Sequence, residues 1–115
     1  TGDGGLWYHF TELETAVRSD IPTITIVNNN NALNQEYDIF MNAYDGKPSN
    51  RWTEMWYFNK VSFAELANYM GAFGIRVTDP DDIKEAVKEA MKSNKPSIVE
   101  IDGDVNALAP TAWSK

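Results

Sequence analysis

The sequence predicts an α/β fold, a parallel sheet with flanking helices, from three observations. Short β-branched runs recur at residues 23–27, 75–78 and 97–101. Stretches with apolar residues at helical spacing lie between them. Strands that alternate with helices pair in parallel, since each crossover returns the chain to the same end of the sheet.

Taken in order, Thr1-Gly2-Asp3-Gly4-Gly5 reads as a flexible polar loop. Residues 11–18 have helical character, with Phe10, Leu13, Ala16 and Val17 on one face, and Pro22 stops the helix. The run Thr23-Ile24-Thr25-Ile26-Val27 is a strand, which Asn28, Asn29, Asn30 and Asn31 end as a turn. Residues 34–44 are aromatic and polar, compatible with a short helix. Residues 45–60 form a loop carrying Trp52, Trp56, Tyr57 and Phe58.

Ser62 and Glu65 form a capping-box pattern, and Phe63, Leu66, Ala67 and Met70 recur at helical spacing behind it. Gly71 and Gly74 bracket the end of this helix. After the strand at 75–78, Asp79-Pro80 opens a further helix, with proline where its missing N–H costs nothing. Ile83, Ala86, Val87, Ala90 and Met91 form its buried stripe, with Lys84, Lys88 and Lys92 on the wet face. Asn94-Lys95-Pro96 ends it before the last strand.

With 115 residues the chain is one domain at most, and 43% hydrophobic residues suffice for a core. Ten basic against 17 acidic residues argue against nucleic acid, which needs clustered Lys and Arg. Cysteine is absent, so disulfides and Zn–thiolate sites are excluded. No apolar run reaches the roughly 18 to 20 residues of a membrane helix, and no signal peptide opens the chain. A soluble, cytoplasmic protein is expected, with no membrane partner. Because the chain begins on Thr1 and a glycine loop, a fragment lacking its upstream part is also expected.

The chemistry lies in two loops. Glycines 2, 4 and 5 permit close approaches to the backbone, and their N–H groups ahead of a helix suit a phosphate. Asp3 among them would repel phosphate unless a divalent cation lay between, and Mg²⁺ commonly joins a carboxylate to phosphate oxygens. The Asn run supplies neutral amide oxygens at a strand end, where parallel sheets place ligands. Together they read as a metal–diphosphate clamp.

The same residues resemble the thiamine diphosphate-dependent enzymes, whose Gly-Asp-Gly is followed one helix and one strand later by an Asn pair. Glu12-Leu13-Glu14-Thr15-Ala16, Ile21-Pro22 and Asn29-Asn30 are similar to acetolactate synthase-like members. So are Phe63-Ala64-Glu65-Leu66-Ala67, Gly74-Ile75-Arg76-Val77, Lys95-Pro96-Ser97-Ile98-Val99-Glu100-Ile101 and the tail Ala107-Leu108-Ala109-Pro110. The resemblance identifies residues 1–115 as the C-terminal part of a thiamine diphosphate-binding domain. It implies Asp3, Asn30 and the Ala32 carbonyl as ligands of Mg²⁺, with Asn29 and Asn31 as alternatives one place away. Gly2, Gly4, Gly5, Leu33 and Asn34 would complete the cofactor-binding set.

The resemblance further implies a parent enzyme acting on a 2-keto acid by decarboxylation and carboligation. That enzyme would be a homo-oligomer whose remaining domains bring the Glu that activates the cofactor, so this chain alone would be inactive and no catalytic residue is assigned. Other readings are a lyase, oxidase or decarboxylase of the same family, or a noncatalytic module of this fold. A nucleotide enzyme would need a P-loop Lys or a Gly-x-Gly-x-x-Gly fingerprint, and neither occurs. Two features depart from the family pattern: Asn34 stands where many relatives have Gly, a turn that Asn can keep at positive φ, and residues 52–58 are unusually aromatic. Outside the clamp, His9 has a surface or packing role and Glu12 and Glu14 are helix-start charges. The aromatic cluster is read as an interface.

Overall fold

The structure is a computed structural model and describes residues 1–107. The tail residues Leu108, Ala109 and Pro110 lie outside the described residues. Its centre is a three-stranded parallel sheet of order β1-β3-β2, with β1 at Ile24–Asn29, β2 at Phe73–Val77 and β3 at Ser97–Asp102. Ile24 and Phe73 both pair with Ser97, so the three strands start in line and their C-terminal ends form one rim. The expected fold class is the observed one.

Successive side chains of β3 point to opposite faces, and each face has its own core. Ile98 joins Leu6, Phe10, Leu13, Val27, Phe63 and Ala67 on one face. Val99 joins Val77, Ala86 and Ala90 on the other. The first face is covered by α1 (Asp3–Trp7), α2 (Glu12–Arg18) and α4 (Phe63–Tyr69), the second by α5 (Ile83–Ser93). Burial on both sides explains why β3 is a nearly continuous apolar run.

Several elements differ from the sequence expectation. Residues 1–5 are not a loop: Gly2 bridges Asn28 in parallel and Asp3 begins α1, because Leu6 is drawn into the core. The Asn run does not end β1 at Val27. Asn28 and Asn29 continue the strand, and the turn falls on Asn31, at φ 56°. Residues 34–44 are helical, a 3₁₀ turn at Asn34–Glu36 leading into α3 at Tyr37–Ala43.

Strand β2 starts earlier than expected and takes in Gly74. A Cβ there would meet the Ala64 carbonyl oxygen at 1.9 Å, so glycine is what lets α4 lie against β2. Ser62 caps α4 as expected, its Oγ accepting the Glu65 N–H at 3.3 Å. In α5, Ala86 and Ala90 are buried, but Met91 is 66% exposed and does not belong to the stripe. Within the aromatic cluster Trp56 is buried and packs edge-on or tilted against Tyr37 and Trp52, while Tyr57 is exposed. That placement replaces the interface expected of Trp56. Among the described residues no helix is long and apolar enough to cross a membrane.

Candidate functional site

At the C-terminal rim of the sheet the start of α1 faces the segment that follows β1. Between them lies a cavity of about 580 Å³. Gly2, Asp3, Gly4 and Gly5 form one wall, and Asn30, Ala32, Leu33 and Asn34 form the other. All eight residues expected to hold the cofactor thus meet at one place. The two walls touch closely at Gly4, where a Cβ would meet Leu33 Cδ2 at 2.5 Å.

Asp3 is 3% exposed. Its Oδ2 accepts the Ala32 N–H at 3.0 Å, and Asn30 Oδ1 accepts the same N–H at 3.1 Å. One carboxylate oxygen from the start of α1 and one amide oxygen from the segment after β1 therefore converge on a single donor. Burial pushes the Asp3 carboxyl above its ordinary value, while backbone N–H groups, those of Gly4 and Ala32 foremost, pull it back. Ala32 is itself buried, and among the described residues no hydrogen bond takes its carbonyl.

The neighbouring asparagines are committed elsewhere. Asn29 is buried and donates through Nδ2 to Glu100 Oε1 at 2.7 Å and to the Val61 carbonyl at 2.9 Å. Asn31 accepts the Val61 N–H through its Oδ1 at 3.3 Å. Of the three asparagines considered as ligands, only Asn30 lines this cavity. Asn34 is not at positive φ; it opens the 3₁₀ turn and its Nδ2 donates to the Val105 carbonyl at 2.7 Å. Among the described residues its Oδ1 is buried without a hydrogen-bond partner.

These observations test whether an Mg²⁺–diphosphate group fits. A buried carboxylate facing backbone N–H groups, an amide oxygen beside it and an unengaged carbonyl are hard oxygen donors of the kind Mg²⁺ takes. The orphaned Asn34 Oδ1 is a further acceptor beside the cavity. Among the described residues no three His, Asp or Glu side chains gather as a metal group. The expected donor set is of another kind: one carboxylate, one amide and one main-chain oxygen. The residues fit the group.

Sequence reasoning missed part of the wall. Gln35, Glu36 and Asp38 also line the cavity. They sit on the 3₁₀ turn and first turn of α3, in the stretch that local pattern left ambiguous. The signal for them is positional: a helix starting directly after a ligand loop aims its first turn at the ligand. Glu100 was missed too, although a lone carboxylate between Val99 and Ile101 in a strand marks a buried polar partner.

Comparison with known proteins shows the family of the chain. Residues 1–101 match the family model described as thiamine pyrophosphate enzyme, C-terminal TPP binding domain. A probable acetolactate synthase large subunit of Methanocaldococcus jannaschii is 36% identical over 101 residues, covering 88% of this chain and 16% of that protein. An acetolactate synthase of Bacillus subtilis is 32% identical over 104 residues, covering 90% and 17%. The chain spans about a sixth of the length of these relatives. Among solved structures, a thiamine diphosphate-dependent 4-hydroxybenzoylformate decarboxylase of Rhodococcus jostii RHA1 superposes with a TM-score of 0.74. That match covers 90% of this chain and 19% of the other at 24% identity, and supports the fold alone. The chain belongs to the thiamine pyrophosphate enzyme family, as a C-terminal thiamine pyrophosphate-binding domain.

Proposed function

We propose that the chain anchors the diphosphate of its cofactor through Mg²⁺, which Asp3, Asn30 and the Ala32 carbonyl hold. Asp3 supplies the one formal negative charge, and the two neutral oxygens complete the protein's share without repelling phosphate. The N–H groups of Gly4 and Gly5 have no intrahelical partner at the start of α1; Gly5 is left for the diphosphate, while Gly4 also holds the Asp3 carboxylate. Gly2, Leu33 and Asn34 shape the remainder of the pocket. The observation that carries this reading is the convergence of Asp3 Oδ2 and Asn30 Oδ1 on the Ala32 N–H.

In this reading the parent protein is an acetolactate synthase-like carboligase or lyase acting on a 2-keto acid, and a homo-oligomer. Its other domains supply the acid–base groups, and residues 1–115 alone are inactive. The bound cofactor supplies the carbanion chemistry, while this chain binds and orients it. The similarity to acetolactate synthases over most of the chain supports this choice of reaction class.

Calorimetric titration of thiamine diphosphate into the intact protein, with and without Mg²⁺, tests the anchor. Binding is expected to need Mg²⁺ and to weaken at least about a hundredfold in Asp3→Ala, which loses a ligand rather than a supporting group. Equal binding by both proteins, or binding indifferent to Mg²⁺, overturns it.

A further inference from the structure

Glu100 is fully buried on β3, on the face shared with Ile98 and α4. Three donors hold it. Asn29 Nδ2 reaches Oε1 at 2.7 Å, while Ser62 Oγ and the Ala64 N–H reach Oε2 at 2.8 and 2.9 Å. The Ser62 oxygen already accepts the Glu65 N–H, so its own proton is the one given to Glu100. Both carboxylate oxygens act as acceptors only.

We propose that Glu100 is a positioning residue for the cofactor site: by holding Asn29 it fixes the end of β1, and with it the Asn30 and Ala32 oxygens beside the cavity. The inference rests on the Mg²⁺–diphosphate reading above. Asn29 gives one N–H to Glu100 and the other to the Val61 carbonyl, and its Oδ1 takes the Asn31 N–H at 3.1 Å. Every hydrogen of that amide is committed, and the side chain is locked into the protein. Strand alternation turns Asn28 to the opposite side, and Asn30, directly after the strand, lines the cavity beside it. Asn31 is tied back to Val61. One buried carboxylate thus ties Asn29 into the protein between two asparagines, Asn28 and Asn30, that line the cavity.

The choice of glutamate follows from the donor count. Glutamine is nearly isosteric, but its NH₂ must face either Asn29 Nδ2 or the Ser62 and Ala64 donors, so one side becomes donor against donor. Groups that orient ligands without touching the ion commonly change metal affinity by 10- to 100-fold, roughly, when altered.

The test compares Glu100→Gln with Ala86→Gly, which weakens α5 on the opposite face of the sheet, in the intact protein. Two readouts are taken well below the unfolding temperature. The first, without cofactor, is amide hydrogen exchange of residues 28–33 against residues 83–93. The second is the Mg²⁺ concentration giving half-maximal thiamine diphosphate binding. Glu100→Gln is expected to speed exchange at residues 28–33 alone and to raise the Mg²⁺ requirement about tenfold. Ala86→Gly is expected to speed exchange in α5 and leave the Mg²⁺ requirement unchanged. If Glu100→Gln exchanges like wild type at residues 28–33, or shifts the Mg²⁺ requirement no more than Ala86→Gly, the proposal is overturned. The exchange arm contains no cofactor, so it judges Glu100 even where wild-type binding ignores Mg²⁺ and the anchor reading fails. Should Glu100→Gln not fold, Ser62→Ala, which removes one donor, must give the same ordering with smaller shifts.

Discussion

Asp3 is held in the cofactor-free chain by backbone N–H groups, and among the described residues no Lys or Arg pairs with it. Burial raises its pKa in the folded chain above the unfolded value of about 3.9. Within that window the folded state binds the proton more tightly than the unfolded state. Stability therefore falls as pH rises from the unfolded value through the raised folded one, and the full penalty applies at neutral pH. Asp3→Asn removes the penalty. In thermal denaturation without metal, the variant is expected to melt above wild type at pH 7, with the difference vanishing near pH 3. With Mg²⁺ and thiamine diphosphate at a hundred times the wild-type dissociation constant, wild type gains about 2.7 kcal/mol. The order of melting then reverses. A site kept at the expense of fold stability is a mark of function.

Helix α4 and strand β2 meet at Gly74, and the 1.9 Å separation a Cβ would have from the Ala64 oxygen leaves no room for alanine. Gly74→Ala must push α4 off the sheet, and α4 carries Ser62 and Ala64 to Glu100. Denaturant unfolding is expected to show a loss of about 2 to 3 kcal/mol, as for other overpacked cores. Elements with local signals were legible: the Ser62 cap announced α4, and Asp79-Pro80 announced the approach to α5, where the Asp79 side chain caps Asp81. Elements set by distant partners were not. Asn28 and Asn29 favour turns, yet they extend β1 because they pair with Ile101 and Asp102, and Glu100 holds the Asn29 side chain. Three glycines argued for a loop where Leu6 buries itself and forms α1. Met91 fits the helical period, but the narrow contact of α5 with the sheet ends at Ala90.

Across the whole molecule the sheet brings residues far apart in sequence to one rim. Asp3 and Ala32 share a hydrogen bond across 29 positions, and Asn29 and Glu100 share one across 71. The meeting of residues 2–5 with residues 30–34 at one cavity was legible because both are short motifs in fixed order. That Asn30, and not Asn29 or Asn31, lines the cavity was not legible from residue type, since identical side chains carry no local distinction. Nor was the far wall of the cavity, built by Gln35, Glu36 and Asp38 from a segment whose helical turn depends on packing of Tyr37 against Trp52 and Trp56.

The most direct test of the anchor is a crystal structure of the intact protein with thiamine diphosphate and Mn²⁺ in place of Mg²⁺, the ion located by its anomalous signal. The account predicts the ion bound by Asp3, Asn30 Oδ1 and the Ala32 carbonyl at about 2.1 Å, the distance octahedral Mg²⁺ adopts. Asn29 should remain on Glu100, and the diphosphate should lie against Gly4 and Gly5. An ion held by Asn29 or Asn31, or a diphosphate bound away from Asp3, would contradict it.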